Sequence, residues 1–450
     1  MNRKHAAILA SAALAIVFAP ALSGIGVEDA QAESIGSVSV EASASSFTTA
    51  NTFDVVPCKL EVKGNTAEAY GFSDTLAESK VSTLDVLVQM HVDKYGSSFT
   101  SNPTNYLSVS DSGWITKIFA SSAFPNFTVD HETTSTLVNG TEVSDDSSVD
   151  FFKYQSSNYS DYKTGFDKDE VSVKPGKKVT LTLKGTSAMS GSWSEASALS
   201  NANDGTVKFA IVSSNGTLET IDADLGSDGT VTVSFDKPGF YVLTAYGSTY
   251  GTYTVYNSDS STSIASGLIP IALPHCIVEV TPTVAKAGGT WTKAKLTWDK
   301  VEGATSYEVL RNGKVVKTTT ATSFKTKKLK TGTAYKFSVR AISSTGYTLV
   351  SPVKKVRIVP KAPTLKGTAK KSAAKIKWSK VKGVSGYKVY RASKKGGKYK
   401  AVAKTGKKAR QVTLKAKSAK KYFYKVKAYK TVKGKKVFTA ASKIVKVKAK

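Results

Sequence analysis

Leu296-Thr297-Trp298-Asp299-Lys300-Val301, followed by Ser306-Tyr307-Glu308-Val309-Leu310-Arg311, returns eighty residues later as Ile376-Lys377-Trp378-Ser379-Lys380-Val381 and Gly386-Tyr387-Lys388-Val389-Tyr390-Arg391. Tyr335-Lys336-Phe337-Ser338-Val339-Arg340-Ala341 returns as Tyr422 to Ala428, eighty-seven residues on, because the second copy has longer loops around Lys394 to Gly397 and before Tyr422. Self-similarity at an offset of eighty to eighty-seven residues marks two tandem structural units. Inside them, Lys375-Ile376-Lys377-Trp378, Tyr422 to Ala428 and Lys446-Val447-Lys448 alternate apolar and polar residues, the period-two pattern of strands with one buried face. The basic C-terminus is therefore expected to be a folded β domain rather than a tail.

These residues resemble the fibronectin type III family, over 284–360 and again over 361–450. Trp298 and Trp378 stand where the family has its second-strand Trp, Tyr307 and Tyr387 open the third strand, and the Y-x-F/Y-x-V-x-A run forms the sixth. The resemblance implies β-sandwiches in tandem, with Tyr335 and Tyr422 as tyrosine corners. Leu329 lies six residues before Tyr335, as the family asks, whereas Leu414 lies eight before Tyr422, which leaves the register of that fifth strand open. Trp298, Trp378, Tyr307 and Tyr387 are expected in the sandwich cores, not on a ligand face. No Arg-Gly-Asp triplet is present.

Charge divides the chain. Of 64 Lys+Arg and 34 Asp+Glu, residues 1–280 hold 16 and 31, residues 281–360 hold 16 and 3, and residues 361–450 hold 32 and none. A basic part that also carries a regular apolar pattern implies a polyanionic partner. Lys375 with Lys377, and Lys446, Lys448 and Lys450, recur two apart, so each set is expected to project to one side of its strand and track a phosphate-bearing chain. Arg391 and Arg410 are the only arginines after residue 360, which suits diffuse neutralisation over bidentate recognition.

Arg3 and Lys4, the apolar Ala6 to Ala21 with Pro20, and Ala30-Gln31-Ala32 read as a cleaved signal peptide over residues 1–32. Residues 33–53, rich in Ser, Ala and Thr, read as a flexible leader. One helix is expected, with Ser82 and Asp85 as its capping box, Leu84, Leu87, Val88, His91 and Tyr95 on one face, and Gly96 at its end. His91 on that stripe reads as a core residue rather than a ligand.

The order strand, helix, Trp114-bearing strand, Leu137-Val138-Asn139-Gly140 hairpin turn and late Pro175-Gly176 turn resembles the C-terminal β domain of transcobalamin-like proteins, placed at 54–185. Cobalamin binding is a minor alternative, since the partner helical barrel of those carriers is missing. Residues 186–283 are expected to form an immunoglobulin-like β domain, on the resemblance of Val231 to Ala245 to that family's penultimate hairpin. The fold class is thus mainly β, multi-domain, with one short helix.

Cys58 and Cys276 bracket the N-terminal half and are expected to pair, closing a loop that the chain-entropy model credits with about 5 kcal/mol. Asp222, Asp224 and Asp228 lack the spacing of a Ca²⁺ loop, and no metal or cofactor is expected. G-x-S-x-G, H-E-x-x-H, P-loop and dinucleotide motifs are absent. Asp145, Asp146, Asp150, Asp167, Asp169 and Glu170 leave a glycosidase-type pair open, which makes a secreted hydrolase the rival reading. The favoured expectation is a secreted, cell-wall-associated binding or structural protein, with no enzymatic activity, held to an anionic cell-wall polymer by its basic C-terminal pair.

Overall fold

Each repeat folds into two facing antiparallel sheets. The structure is a computed structural model that describes residues 35–48, 51–122, 125–134, 136–156, 159–189, 191–256 and 261–450; residues 1–32, expected to be a signal peptide, lie outside these. In the first repeat, Val284–Gly289, Ala294–Trp298 and Ser323–Lys325 form one sheet. Lys314–Thr319, Ala304–Arg311, Ala334–Ser343 and Thr348–Val350 form the other, with Lys354–Arg357 also on Ala334–Ser343. The second repeat sets Leu365–Lys370, Ala373–Trp378 and Gln411–Lys415 against Lys400–Gly406, Gly386–Ala392, Lys421–Val432 and Lys435–Phe438, with Val445–Lys448 on Lys421–Val432. This shared order makes both repeats fibronectin type III-like sandwiches.

Their cores are the alternating residues of the repeat. Trp298, Tyr307, Val309, Phe337, Val339 and Ala341 fill the first, and Trp378, Tyr387, Val389, Tyr424, Val426 and Ala428 the second. Trp298 is 6% exposed and Trp378 5%, so both are packing residues. The hydroxyls of Tyr307 and Tyr387 accept from the backbone N–H of Val301 and Val381, each at 3.0 Å. Tyr335 accepts from Lys330 N at 3.4 Å, a long tyrosine-corner bond, while the Tyr422 ring lies 4.7 Å from the Arg391 guanidinium. The eight-residue spacing before Tyr422 still leaves Leu414 opposite Ala374 and against the core. The sandwiches touch through Trp291, whose Nε1 donates to Lys382 O at 3.0 Å, and Arg357, which donates to Phe438 O at 3.0 Å.

The N-terminal half holds two more cores. The first is a five-stranded sheet in the order Phe53–Lys63, Ser37–Ser45, Ser148–Lys153, Pro125–Val129, Glu132–Thr133, with the helix Thr83–Tyr95 packed on it. The helix starts as expected: Ser82 Oγ accepts from Asp85 N at 3.0 Å, and Asp85 accepts from Ser82 N at 2.9 Å. His91 is a core residue; its Nδ1 donates to Leu87 O at 2.8 Å, its Nε2 accepts from Phe119 N at 3.0 Å, and its ring stacks on Phe119 at 4.2 Å. Burial lowers its pKa to about 4, so it is neutral.

Four sequence expectations change here. The flexible leader is instead a central strand, Ser37–Ser45, paired on both sides, with Val40, Ala42 and Ala44 buried. Its period-two pattern was hidden because half of the buried face is alanine. The expected domain at 54–185 does not close by itself: Tyr162–Phe166 and Lys178–Ser187 face the second core, with Phe166, Val179, Leu181 and Leu183 inside it. Nor does the Asn139-Gly140 turn make a hairpin, since Glu132–Thr133 pairs Pro125–Val129 while Glu142–Val143 pairs Val81–Ser82. In the second core, Thr230–Ser234 pairs Lys178–Ser187, and Gly239–Tyr246 lies in the opposite sheet between Lys208–Val212 and His275–Val280. The expected hairpin there is an arch between sheets.

The expected disulfide is also corrected: Cys58 and Cys276 are both free. Each strand turns its cysteine to its own core, Cys58 against the first and Cys276 within the second. Burial, with nearby carboxylates, pushes both thiols up to about 12. Neither thiolate is therefore available in the folded chain. Ellman titration should find two reactive thiols per chain in denaturant and none without it; a chain with no titratable thiol in denaturant would restore the disulfide.

One asymmetry between the repeats is testable. Trp378 Nε1 donates to Ala409 O at 3.1 Å, whereas Trp298 Nε1 is buried without a partner. Trp378→Phe should cost about 1 kcal/mol more than Trp298→Phe, because only the former gives up an indole hydrogen bond, although the Ala409 carbonyl still accepts from Arg410 Nη1 at 2.6 Å. Calorimetry of the two variants decides, and equal shifts would mean that the indole bond contributes nothing.

Candidate functional site

Where the five named lysines fall follows from strand parity. Lys375 and Lys377 alternate with buried Ala374, Ile376 and Trp378, so they point outward from the three-stranded sheet of the second sandwich. Lys446 and Lys448 lie opposite Phe423 and Lys421, at the edge of the other sheet. Lys450 follows that strand, its backbone bonded to Lys370 and Ser372. The five therefore do not form one surface: Lys375 and Lys377 occupy one face of the sandwich, Lys446 and Lys448 the opposite one.

Register brings together lysines that strand-by-strand reading missed. Lys404, Lys388 and Lys427 are direct partners across three neighbouring strands. Tyr387, Val389, Val426 and Ala428 alternate with them into the core, so the three lysines stand side by side on the outer face. Such partners have Cβ atoms roughly 5 Å apart, and like charges there are destabilising. Lys425 and Tyr390 form the next pair, followed by Phe423 with Lys446 and Lys421 with Lys448.

Aromatic rings steady these ammonium groups. Lys425 Nζ lies 4.0 Å from the Tyr399 ring centre, and Lys388 and Lys427 lie 5.7 and 5.9 Å from that of Tyr390. Cation–π contact at such range contributes about 0.5–1 kcal/mol at exposed sites. Residues 361–450 contain no carboxylate, so nothing within the sandwich neutralises the row.

The first repeat supplies an internal comparison. At the same offsets Glu308 stands for Lys388 and Arg340 for Lys427, and these two are joined at 2.9 Å. The matching row reads Thr318, Glu308, Arg340. One copy carries a paired row, the other an unpaired cationic one.

The second cluster of charge is buried where the cores meet. His275 Nε2 is 2.6 Å from Glu41 Oε1, and its Nδ1 is 3.7 Å from Asp150 Oδ1, with the imidazole side chain only 5% exposed. Ser43 donates to Asp150 at 2.5 Å. Burial by itself would lower the His275 pKa, but the carboxylates of Asp150, Glu41 and Asp169 outweigh it and raise it to about 9. Beside it, His131 lies 2.9 Å from Asp169 and stacks on Trp193 at 4.7 Å. Tyr347, from the first sandwich, is buried in the same region with its ring 5.3 Å from Lys59 Nζ, and Lys59 reaches Glu170 at 3.4 Å. A void of about 20 Å³ borders His131, Asp150, Lys163 and His275, which is room for a single water and not for a substrate.

The carboxylates named for a hydrolase are thus largely spent. Asp145 accepts from Ser39 N at 2.9 Å, Asp167 from Thr182 N at 2.7 Å, and Asp150 and Asp169 face histidines. Glu170 and Glu279 are a facing acidic pair, and burial followed by Glu170 raises Glu279 to about 7, but Lys59 closes on Glu170. Asp228 accepts from the backbone and hydroxyl of Thr230 at 3.1 and 2.7 Å, an ordinary loop turn. Glu68, Asp74 and Asp85 converge as well, yet Asp85 already accepts from Ala67 N and Ser82 N, as helix capping requires.

No family model matches the chain, and no curated protein does. Among solved structures, the FN1–FN3 domains of chicken CNTN1 are 15% identical over 65% of this chain and 100% of that one, with a TM-score of 0.20. The central fibronectin-III array of RIM-binding protein is 14% identical over 66% and 99%, with a TM-score of 0.26. The Yersinia enterocolitica family 28 exopolygalacturonase is 16% identical over 19% and 21%, with a TM-score of 0.17. Similarity this low carries no weight; the strand order of the two sandwiches does. Among the described residues no helix is long and apolar enough to cross a membrane.

The sign of the junction's pH dependence follows from His275. Its folded pKa of about 9 exceeds the ordinary imidazole value of 6.5, so its stabilisation is complete below pH 6.5 and is lost as pH rises towards 9. Glu279, raised from 4.5 to about 7, adds a loss of the same sign between those values. The thermal midpoint should fall between pH 6.5 and 9, and His275→Gln should flatten that fall; an unchanged slope in the variant would remove His275 as its source.

Proposed function

We propose that the chain is an exported cell-surface binding protein whose N-terminal cores are displayed while its basic C-terminal sandwich holds to an anionic wall polymer. One observation carries this reading: the second sandwich bears an unneutralised row, Lys404, Lys388 and Lys427, where its sister bears a paired one. Folding such a surface costs self-repulsion, and a polyanion relieves it. Lysine predominates over arginine, which favours neutralising a flexible charged chain over gripping one planar group.

Attachment of this kind works by counterion release. With about six lysines engaged, affinity should fall roughly 10³-fold between 50 and 200 mM salt, by analogy with other polyanions. Retention of the purified chain on cells, measured across that range and after deletion of 361–450, tests the reading. Retention that ignores both salt and deletion would defeat it.

A further inference from the structure

Resting on that reading, we propose that the polymer binds one face of the second sandwich, the outer face centred on Lys404, Lys388 and Lys427, and that this face takes an aliphatic polyol-phosphate chain. The opposite face is nearly as rich in lysine, with Lys366 opposite Lys377 and Lys375 between two threonines, Thr368 and Thr413. Net charge therefore does not choose between the faces; arrangement does. Only the outer face sets three lysines in one cross-strand row, continues it through Lys425, Lys421, Lys446 and Lys448, and steadies three of the ammonium groups on Tyr399 and Tyr390.

The chemistry of the row selects the ligand. Strand spacing of about 4.8 Å across the sheet and roughly 7 Å between alternate residues gives a grid of point charges. A tetrahedral phosphodiester turns its two free oxygens apart, so one phosphate can accept from lysines on neighbouring strands. A planar carboxylate is better matched by the fork of an arginine, and none stands in this row. Single-stranded nucleic acid is disfavoured for a different reason. Base recognition needs open aromatic faces for stacking, and here Tyr390, Tyr399 and Tyr422 are already engaged by Lys388, Lys427, Lys425 and Arg391.

The first repeat dictates the decisive variant. Lys388→Glu places an acid beside Lys427, as Glu308 stands beside Arg340. Relief of like-charge contact should raise the thermal midpoint of the full chain while the row loses its centre. Binding of synthetic poly(glycerol phosphate) at 100 mM salt should weaken at least tenfold. A variant that is more stable yet binds as before would overturn the proposal.

A second pair of variants, matched in charge, keeps the face and the polymer separate. Lys404→Gln with Lys388→Gln and Lys427→Gln should lower affinity at least tenfold and reduce the log–log salt slope by about 2–3. Lys366→Gln with Lys375→Gln and Lys377→Gln should change affinity less than threefold. Equal losses from the two triples would show diffuse binding and overturn the face, leaving wall attachment standing. No binding by the unaltered chain would overturn both. Oligothymidylate or polyglutamate of equal charge binding as tightly as poly(glycerol phosphate) would overturn the ligand class.

Discussion

The imidazole of His275, held between Glu41 and Asp150, is the constraint on which the N-terminal half is built. Glu41 and Asp150 sit on two parallel strands of the first core, and His275 begins a strand of the second, so the cluster fixes one sheet against another. Around it an apolar patch of Phe53, Val212, Val242, Leu273, Ile277 and Tyr347 draws residues from both N-terminal cores and from the first sandwich. Backbone contacts extend the same junction: Phe53 N donates to Gly216 O at 2.9 Å, and Lys59 N to Thr345 O at 2.9 Å. Buried ion pairs seldom add net stability over apolar packing, but removing one partner strands the other at a cost of about 3–5 kcal/mol. What such a cluster contributes is a fixed arrangement of neighbours.

The two sandwiches show how one backbone pattern supports different surfaces. Inward positions repeat almost residue for residue, Trp298 and Trp378, Tyr307 and Tyr387, Val309 and Val389, since each must fill the same space between sheets. Outward positions are free of that demand. There Glu308 and Arg340 in one copy stand against Lys388 and Lys427 in the other, a change that leaves the core untouched and turns a paired row into an unpaired cationic one. The charge split between the two halves of the chain is thus concentrated on positions that carry no packing constraint.

Much of this was legible in advance. The repeat, its buried Trp and Tyr, the capped helix at Ser82 and the core role of His91 follow from local periodicity and short-range hydrogen bonds, which read directly along the chain. Three of the misreadings have separate causes. Ser37–Ser45 looked like part of a flexible leader because small residues pack well at a crowded sheet centre and weakly mark a strand. The strands Tyr162–Phe166 and Lys178–Ser187 were grouped with their neighbours in sequence, although their apolar faces belong to the second core. Cys58 and Cys276 looked like partners because both sit at strands bracketing the region, but each is packed in its own core.

By itself, the sequence determined which residues face inward, that the chain is mainly β with a duplicated sandwich, and that its positive charge is gathered at one end. These properties depend on spacing within one strand or one helix. Tertiary structure alone decided which strands are neighbours, and with that, that Lys404, Lys388 and Lys427 share a row although they lie 16 and 39 residues apart in the chain. It likewise decided that Glu41 meets His275 across 234 positions. The physical reason is the same in both cases: a hydrogen-bonded ladder sets lateral register through loop length and core packing, quantities that the alternation of residues along a single strand does not contain.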